Sequence, residues 1–385
     1  MPENALGALQ LSLHSRIDDI AAEVWDRLRP DENPFNSHAY LNALETTGCV
    51  DGRTGWQPVH IALSDAAGIV RGVMPLYVKT HSMGEYVFDQ SWARAYEQAG
   101  GAYYPKLQGA IPFTPVTGAR LLSPDPLVRA ALVEAAIKVC DQNKLSSLHI
   151  TFPLEEEWQA LGEIGLLLRQ DQQFWWDNAG YASFDDFLAQ LSSNRRKVIR
   201  RERRDVQASL QMRTIAGADI TEAHLDALYG FIENTYDRKW GTGSPYLTRA
   251  FFSLVRETMG DQMVLIFAYD GQRAVAGAIN FIGQDTLYGR QWGCSDDIAF
   301  LHFEVCYYQA IDFAISRGLK RVEAGTQGEH KLSRGYLPNP VYSAHYIRDK
   351  RLREPVARFL DSEREAVIEH MHVLEEEASP FKKGG

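Results

Sequence analysis

Glu304 is the residue whose position most needs an explanation. At 100° per residue, a helix over about 300–317 puts His302, Gln309, Asp312, Ser316 and Arg317 on one side as a solvated stripe. Glu304 falls opposite, among Phe300, Tyr307, Tyr308, Ile311 and Ile315. A carboxylate there is paired, protonated or facing a cavity, because bare burial of its charge costs too much. Functional sites often hold such a group, and a structural hydrogen bond to a tyrosine meets the same demand. Three other stretches carry chemistry. Glu323, Gln327, Glu329, His330 and Lys331 cluster at the end of an expected strand, where open α/β sheets place ligands; surface-loop polarity is the plain alternative. Seven of the ten residues Arg195–Arg204 are basic, with only Glu202 and Asp205 to offset them, so this helix either holds phosphates or is simply solvated. The turn Gly293–Ala299 opens the central helix and suits an anion, although Asp296 and Asp297 repel one unless they turn away as caps.

The elements that must position these groups follow from apolar spacing. Thr286–Trp292 reads as a strand, about 300–317 as a helix stopped by Gly318, and Lys320–Ala324 as a second strand. Met263–Tyr269 and Ala274–Ile282 form a hairpin around Asp270-Gly271. Earlier, Pro58–Leu63 and Ile69–Lys79 are neighbouring strands, Leu107–Ile111 and Ala119–Leu122 are strand-like, and Asp125-Pro126 opens a helix to Gln142. Ser147–Phe152 and Leu166–Trp176 are strands, and Pro355 opens a closing helix. Between Leu107 and Leu122, the stiff turn Pro112–Gly118 offers backbone N–H groups to an anion only weakly, since its prolines lack them. Residues 57–152 and 262–324 share an element order, which predicts an α/β (α+β) chain of two domains on one plan, 1–177 and 178–385. The basic helix 192–205 and the closing helix belong to the second.

Composition removes several function classes. At 385 residues with 45% hydrophobic and 23% charged, this is an ordinary globular chain, long enough for two cores. A net charge of -10 argues against general nucleic-acid affinity but leaves room for a local basic patch. Cys49, Cys140, Cys294 and Cys306 have no paired spacing, so neither zinc nor a disulfide framework is expected, and a reducing, cytoplasmic setting fits. No signal peptide or stretch of about 18 apolar residues is visible. Walker, GxSxG and HExxH motifs are absent, and His302-x-Glu304 lacks the cysteine pair that deaminase zinc chemistry needs.

Five phrases together resemble one family: YYPKLQGAIPFTPVTGARLL from Tyr103, SNRRKVIRRERR from Ser193, KWGTGSPYLTRAFF from Lys239, LHFEVCYYQAIDFAISRGL from Leu301, and EAGTQGEHKLSRGYLPNPVYSAHYI from Glu323. They are similar to the bacterial tandem GNAT-fold predicted N-acyltransferases of peptidoglycan biosynthesis/recognition, relatives of the Fem aminoacyltransferases. That resemblance implies two GNAT-like domains, each a mixed twisted sheet flanked by helices. It implies acyl or aminoacyl transfer to an amine acceptor, a small molecule or cell-wall precursor, with acyl-CoA or aminoacyl-tRNA as co-substrate and no tightly bound cofactor or metal. The donor would lie where neighbouring parallel strands splay, against Tyr288, Gly289, Arg290, Gln291, Trp292, Gly293, Ser295, Leu301 and His302. Neither half carries the usual GNAT phosphate loop, a departure that favours a Fem-like donor, with tRNA contact through Arg195–Arg204. Acceptor or anion contacts would come from Lys106, Thr114, Thr117, Arg195, Arg196, Glu323, Gln327, Glu329 and Lys331. Transfer to an amine needs an oxyanion donor and a route for the amine proton. Glu304 is the first candidate base and His330 the second, with Tyr307 or Tyr308 returning a proton to the leaving group. A degenerate pair that only binds peptidoglycan fragments or an acyl donor is the alternative, favoured by the missing phosphate loop.

Overall fold

The computed structural model describes residues 9–241, 245–325 and 328–382. In chain order its strands are β1 (Gln10–His14), β2 (Trp56–Pro58), β3 (His60–Ser64), β4 (Val70–Met74), β5 (Leu76–Lys79), β6 (Lys106–Gly109), β7 (Ser147–Thr151), β8 (Leu167–Asp177), β9 (Gln211–Ala216), β10 (Met263–Asp270), β11 (Arg273–Ile282), β12 (Thr286–Cys294), β13 (Arg321–Glu323) and β14 (Leu337–Ile347). The helices are α1 (Ala22–Arg27), α2 (His38–Thr46), α3 (Gln90–Gln98), α4 (Pro126–Gln142), α5 (Glu155–Glu163), α6 (Phe184–Gln190), α7 (Ser193–Gln207), α8 (Glu222–Trp240), α9 (Arg249–Met259), α10 (Leu301–Phe303), α11 (Gln309–Ser316) and α12 (Lys350–Glu377). Their ends carry the signals the sequence shows. Asp125 accepts from Leu127 N at 2.9 Å with Pro126 in the first turn of α4, and Ser37 caps α2 by accepting from Tyr40 N at 3.2 Å.

The chain divides into a first unit, Met1–Asp171 with Pro340–Ile368, and a second, Gln172–Asn339 with Glu369–Gly385. The expected second domain, 178–385, therefore loses residues 340–368. The reason is pairing: β14 lies antiparallel to β7, Ser343 opposite Thr151 and Ile347 opposite Ser147. Leu352, Val356 and Leu360 then pack with Trp92 and Tyr103 in a small apolar cluster of the first unit.

In the first unit the sheet order is β2-β5-β6-β7-β14, and β1-β3-β4 form a separate three-stranded sheet. The parallel pair β6–β7 is joined through α4, whose Val128, Leu132, Val133 and Ala136 pack on Leu107, Leu148 and Ile150. In the second unit the order is β8-β13-β12-β11-β10-β9. Its parallel pair is β12–β13, crossed by the helical stretch 301–316. Leu287, Val322 and Trp176 on the sheet meet Ile311 and Ala314 of that stretch in the core. Leaving aside β1, β3 and β4, both sheets thus run antiparallel, antiparallel, parallel, antiparallel through their matching strands. One expectation changes, and one strand was not expected. Ala119–Leu122 is no strand beyond one bridge, Leu122 to Val73, and β9 forms an edge strand whose polar alternation gave no apolar period.

Candidate active site

The second unit's sheet opens between β12 and β13. Their parallel pairing covers Thr286–Arg321, Leu287–Val322 and Tyr288–Glu323, after which β13 ends while β12 runs on to Cys294. At the same point the β11–β12 register slips: Ile279 faces Gln291 but Asn280 faces Gly289, leaving Arg290 as the extra residue of a bulge. Such a bulge bends the strand away from its partner. Gly293 then presses against α8, where an added Cβ would stand 2.1 Å from the Phe231 carbonyl oxygen, so only glycine fits. Asn234 and Arg238 of α8 pin the following turn by donating to Cys294 O at 2.7 Å and Ser295 O at 2.6 Å.

Glu323 stands at the fork. It is only 6% exposed, and its Oε2 accepts no hydrogen bond among the described residues. Burial pushes its carboxyl up to about 8, against the downward pull of Arg321 and Arg290. Across the fork Gln291 Oε1 is likewise buried without a donor. Trp292, the next residue of β12, opens a wall of aromatic side chains. Trp292 lies 4.5 Å from His302 between ring centroids, His302 5.1 Å from Tyr307, and Phe303 5.7 Å from His330. His330 Nε2 and the Tyr307 hydroxyl are 2.9 Å apart, and burial drives that phenol's pKa far up, so it keeps its proton. Lys331, 1% exposed, donates to Gly325 O at 2.6 Å, and burial lowers its ammonium to about 7. Beside the wall is a cavity of about 400 Å³ lined by Arg238, Trp292, Asp296, Asp297, Phe300 and His302. Phe300 enters the helix at φ 64, a left-handed conformation costing a non-glycine residue about 1–3 kcal/mol.

Glu304 does not line this cavity, and its Oε2, like that of Glu323, accepts no hydrogen bond among the described residues. It is fully buried, and its Oε1 accepts from Gln309 at 2.7 Å, Gln207 at 2.8 Å and Arg203 at 3.3 Å. Arg203 continues to Asp312 at 2.6 Å. The correction has a physical cause. Glu304–Tyr308 is a π turn, closed by Gln309 N–H to Glu304 O, and the extra residue per turn brings Glu304 round to Gln309 and Asp312. The residues placed opposite by a 100° period are neighbours. Tyr308 is also spoken for: it donates to Glu202, and Arg334 reaches Glu202 at 2.9 Å and the Tyr308 hydroxyl at 3.0 Å. Glu304 and Tyr308 thus anchor the π turn to α7.

The other expected contacts are dispersed. Tyr288, Gly289, Arg290, Gln291 and Trp292 line or flank the fork, while Leu301 is core and Ser295 bonds Val275 O and Asp296. Asp296 is held by Arg273 at 3.0 Å, so an acid stands at the helix start and offers nothing to a phosphate. Lys106 and Thr114 are buried in the first unit, Lys106 against Glu85 and Asp89, and Thr114 at 3.2 Å from the Tyr40 hydroxyl. Thr117 gives its carbonyl to Asn33 at 3.1 Å. Arg195 and Arg196 sit in the first turns of α7, Arg196 reaching Ala189 O at 3.4 Å. Gln327 lies outside the described residues, and of Glu329 only its place at the start of the 3-10 turn Glu329–Arg334 is described. Glu323, expected as an acceptor or anion contact, is the buried carboxyl at the end of the parallel pairing. Its signal, a carboxylate in register with a core strand, lay in plain view.

The FemAB-like family, peptidoglycan biosynthesis/recognition, matches residues 16–383. The chain belongs to this family. Among solved structures it is similar to FemX, with TM-score 0.54 and 11% identity over 90% of this chain and 100% of that one. It is also similar to the C-terminal domain (DUF2156) of a putative lysylphosphatidylglycerol synthetase from Agrobacterium fabrum, with TM-score 0.53 and 8% identity over 89% and 95%. A conserved protein from Bacteroides thetaiotaomicron gives TM-score 0.51 and 12% identity over 87% and 99%. At these identities the likeness is one of fold. No curated protein matches by sequence. No described helix of this FemAB-like chain is long and apolar enough to cross a membrane.

Proposed function

We propose that this FemAB-like protein is an N-acyltransferase that moves an acyl or aminoacyl group onto an amine of a cell-wall precursor, and that the reaction takes place at the β12–β13 fork. One observation carries the reading: a buried carboxyl, Glu323, with an unengaged oxygen where two parallel strands part. Attack by an amine on a thioester or ester forms the amide bond as the bond to the leaving thiol or hydroxyl breaks. The amine nitrogen must shed a proton as it does so. A carboxylate whose pKa is about 8 takes that proton far more readily than an ordinary one. Backbone N–H groups of the stretch 289–294 beyond the fork supply the hydrogen bonds that a developing oxyanion needs. The Tyr307 hydroxyl, kept protonated by burial and bonded to His330, is the proton source this reading gives the leaving group.

Aminoacyl-tRNA is the donor this reading favours over acyl-coenzyme A. Asp296 and Asp297 flank the start of α10, where a pyrophosphate would otherwise be drawn. On α7, Lys197, Arg200, Arg201 and Arg204 are exposed at i, i+3, i+4 and i+7 spacing, one solvent-facing stripe suited to a phosphate backbone.

The test is a transfer assay with pooled aminoacyl-tRNAs and acyl-coenzyme A thioesters against a labelled amine precursor. Glu323→Gln keeps the shape and removes the base, and kcat should fall about 10²–10⁴-fold. The wild-type rate should climb with pH towards a plateau above about 8, and the variant's should not. An undiminished rate in a folded Glu323→Gln protein rejects the mechanism.

A further inference from the structure

β5 and β6 are antiparallel neighbours, with Lys79 directly opposite Lys106. A turn of about 2–5 residues closes such a pair, and segments far longer than that inside a domain are usually lids or binding loops. Here the connection takes all of 80–105 and carries α3. Both lysines are fully buried, and like charges facing each other across a ladder destabilise it unless counter-charges are supplied.

Their counter-charges come from the connection itself. Lys106 Nζ donates to Asp89 Oδ2 at 2.5 Å, Glu85 Oε2 at 2.7 Å and Ser82 Oγ at 2.9 Å. Lys79 is served less well. Its ammonium donates to Met83 O at 3.2 Å, lies 3.6 Å from the Trp56 ring centroid, and has Glu85 Oε1 no nearer than 4.0 Å. Glu85 Oε1 and Asp89 Oδ1 are buried and accept no hydrogen bond among the described residues. Burial lowers the Lys79 ammonium to about 7 and raises the Glu85 carboxyl to about 7, the signature of an ion pair that is not optimally closed. The sheet face below continues polar, through Gln108, Ser147, His149, Thr151 and His345. The outer side of the first part of the connection exposes Met83 and Phe88, each 56% accessible, whereas Trp92 and Tyr103 further along are core residues.

We propose that Lys79 and Lys106 form a binding site for a doubly charged anion, a phosphate, diphosphate or dicarboxylate group, and that the stretch 80–89 of the connection is its cover. In the closed state Glu85 and Asp89 stand where the ligand's oxygens go. Opening exchanges one set of charge-assisted hydrogen bonds for another, so neither ammonium is left buried and unpaired, the state that costs most. Lys79 gains partners that the closed state withholds. The site is independent of the transfer chemistry assigned to the second unit.

Calorimetry and hydrogen exchange on the full chain test this, with inorganic pyrophosphate as the phosphate arm and succinate as the dicarboxylate arm. At least one should bind with unit stoichiometry and change exchange within 80–89, and the tighter arm identifies the source. Asp89→Asn removes a competing charge at constant shape and should tighten binding at least tenfold. Lys79→Met, an apolar side chain over the same Trp56 ring, should weaken it at least tenfold. Absence of binding in both arms overturns the proposal, as does a change in exchange confined to 193–207 that survives Lys79→Met. Should Lys79→Met not fold, unchanged affinity in Asp89→Asn overturns it alone.

Discussion

Two parallel strand pairs occupy the same place in the two sheets, and they end differently. Past Gly109–Ile150 in the first unit, Arg120 bridges the continuation of both strands. It donates to Thr151 O at 2.9 Å on the β7 side and to Val116 O at 2.7 Å and Gly118 O at 2.8 Å on the β6 side. Glu157 completes the closure by accepting from the backbone N–H groups of Arg120 and Leu121. Past Tyr288–Glu323 in the second unit, Lys331 donates to Gly325 O at 2.6 Å on the β13 side, and a carboxyl with an unused oxygen stands at the fork. A guanidinium satisfied by backbone carbonyls is finished structure. A buried carboxyl that lacks a donor is a cost retained at the fork, and retained costs mark where chemistry is done. On the function proposed above, that difference is why transfer is put at the second fork and not the first.

The sharpest way to break it is Arg120→Met. Removing the buried cation strands the Thr151, Val116 and Gly118 carbonyls, while Glu157 keeps its backbone donors, so stability should fall by about 3–5 kcal/mol, read by urea denaturation. Transfer measured below the melting transition should be unchanged. A variant that stays stable but loses activity would place the first fork in the reaction.

Glu323→Gln sharpens the other side, in stability rather than rate. A carboxyl whose folded pKa is raised from 4.5 to about 8 holds its proton in the folded state while the unfolded chain loses it. The folded state then binds more protons between those values, so stability drops as pH rises from about 4.5 to 8 and is level above. The amide has no such dependence. Relative to wild type, the variant should gain a few kcal/mol at pH 9 compared with its value at pH 5, on the order of what such a shift is worth. Equal pH profiles for the two proteins would show that the carboxyl is not held protonated.

Glu304→Gln tests the residue that the sequence put forward first. Its carboxylate joins Gln309 and α7, so the substitution should cost about 1–3 kcal/mol of stability and leave the transfer rate of folded protein intact. What was legible in the sequence divides along the same line. Repeated element order, capped helices and the Asp270-Gly271 hairpin come from local spacing, which one chain records directly. The π turn at Glu304 is invisible to a fixed 100° period, because one inserted residue rephases everything around it. Arg120 is similar: a charged residue in an apparent strand says nothing of the four carbonyls that fold back around it. The return of 340–368 to the first unit rests on pairing between residues far apart in the chain, which apolar period does not encode.

The smallest effect is expected on α7. Arg203 and Glu202 are committed to the π turn and to Arg334, and Arg200 and Arg204 are paired with Asp185 at 3.0 Å and Asp205 at 2.9 Å. Arg201 is exposed on the stripe and has no acidic partner among the described residues; only the Phe300 ring lies near, 5.8 Å away. If α7 holds the phosphates of an aminoacyl-tRNA, Arg201→Ala should weaken tRNA binding about evenly across tRNA species. It should also reduce the slope of log affinity against log salt by roughly one. Stability should stay within about 0.5 kcal/mol, as for an exposed site without structural partners. An unchanged salt slope would detach the basic stripe from the donor, and the fork's chemistry would then have to recruit its acyl group without that helix.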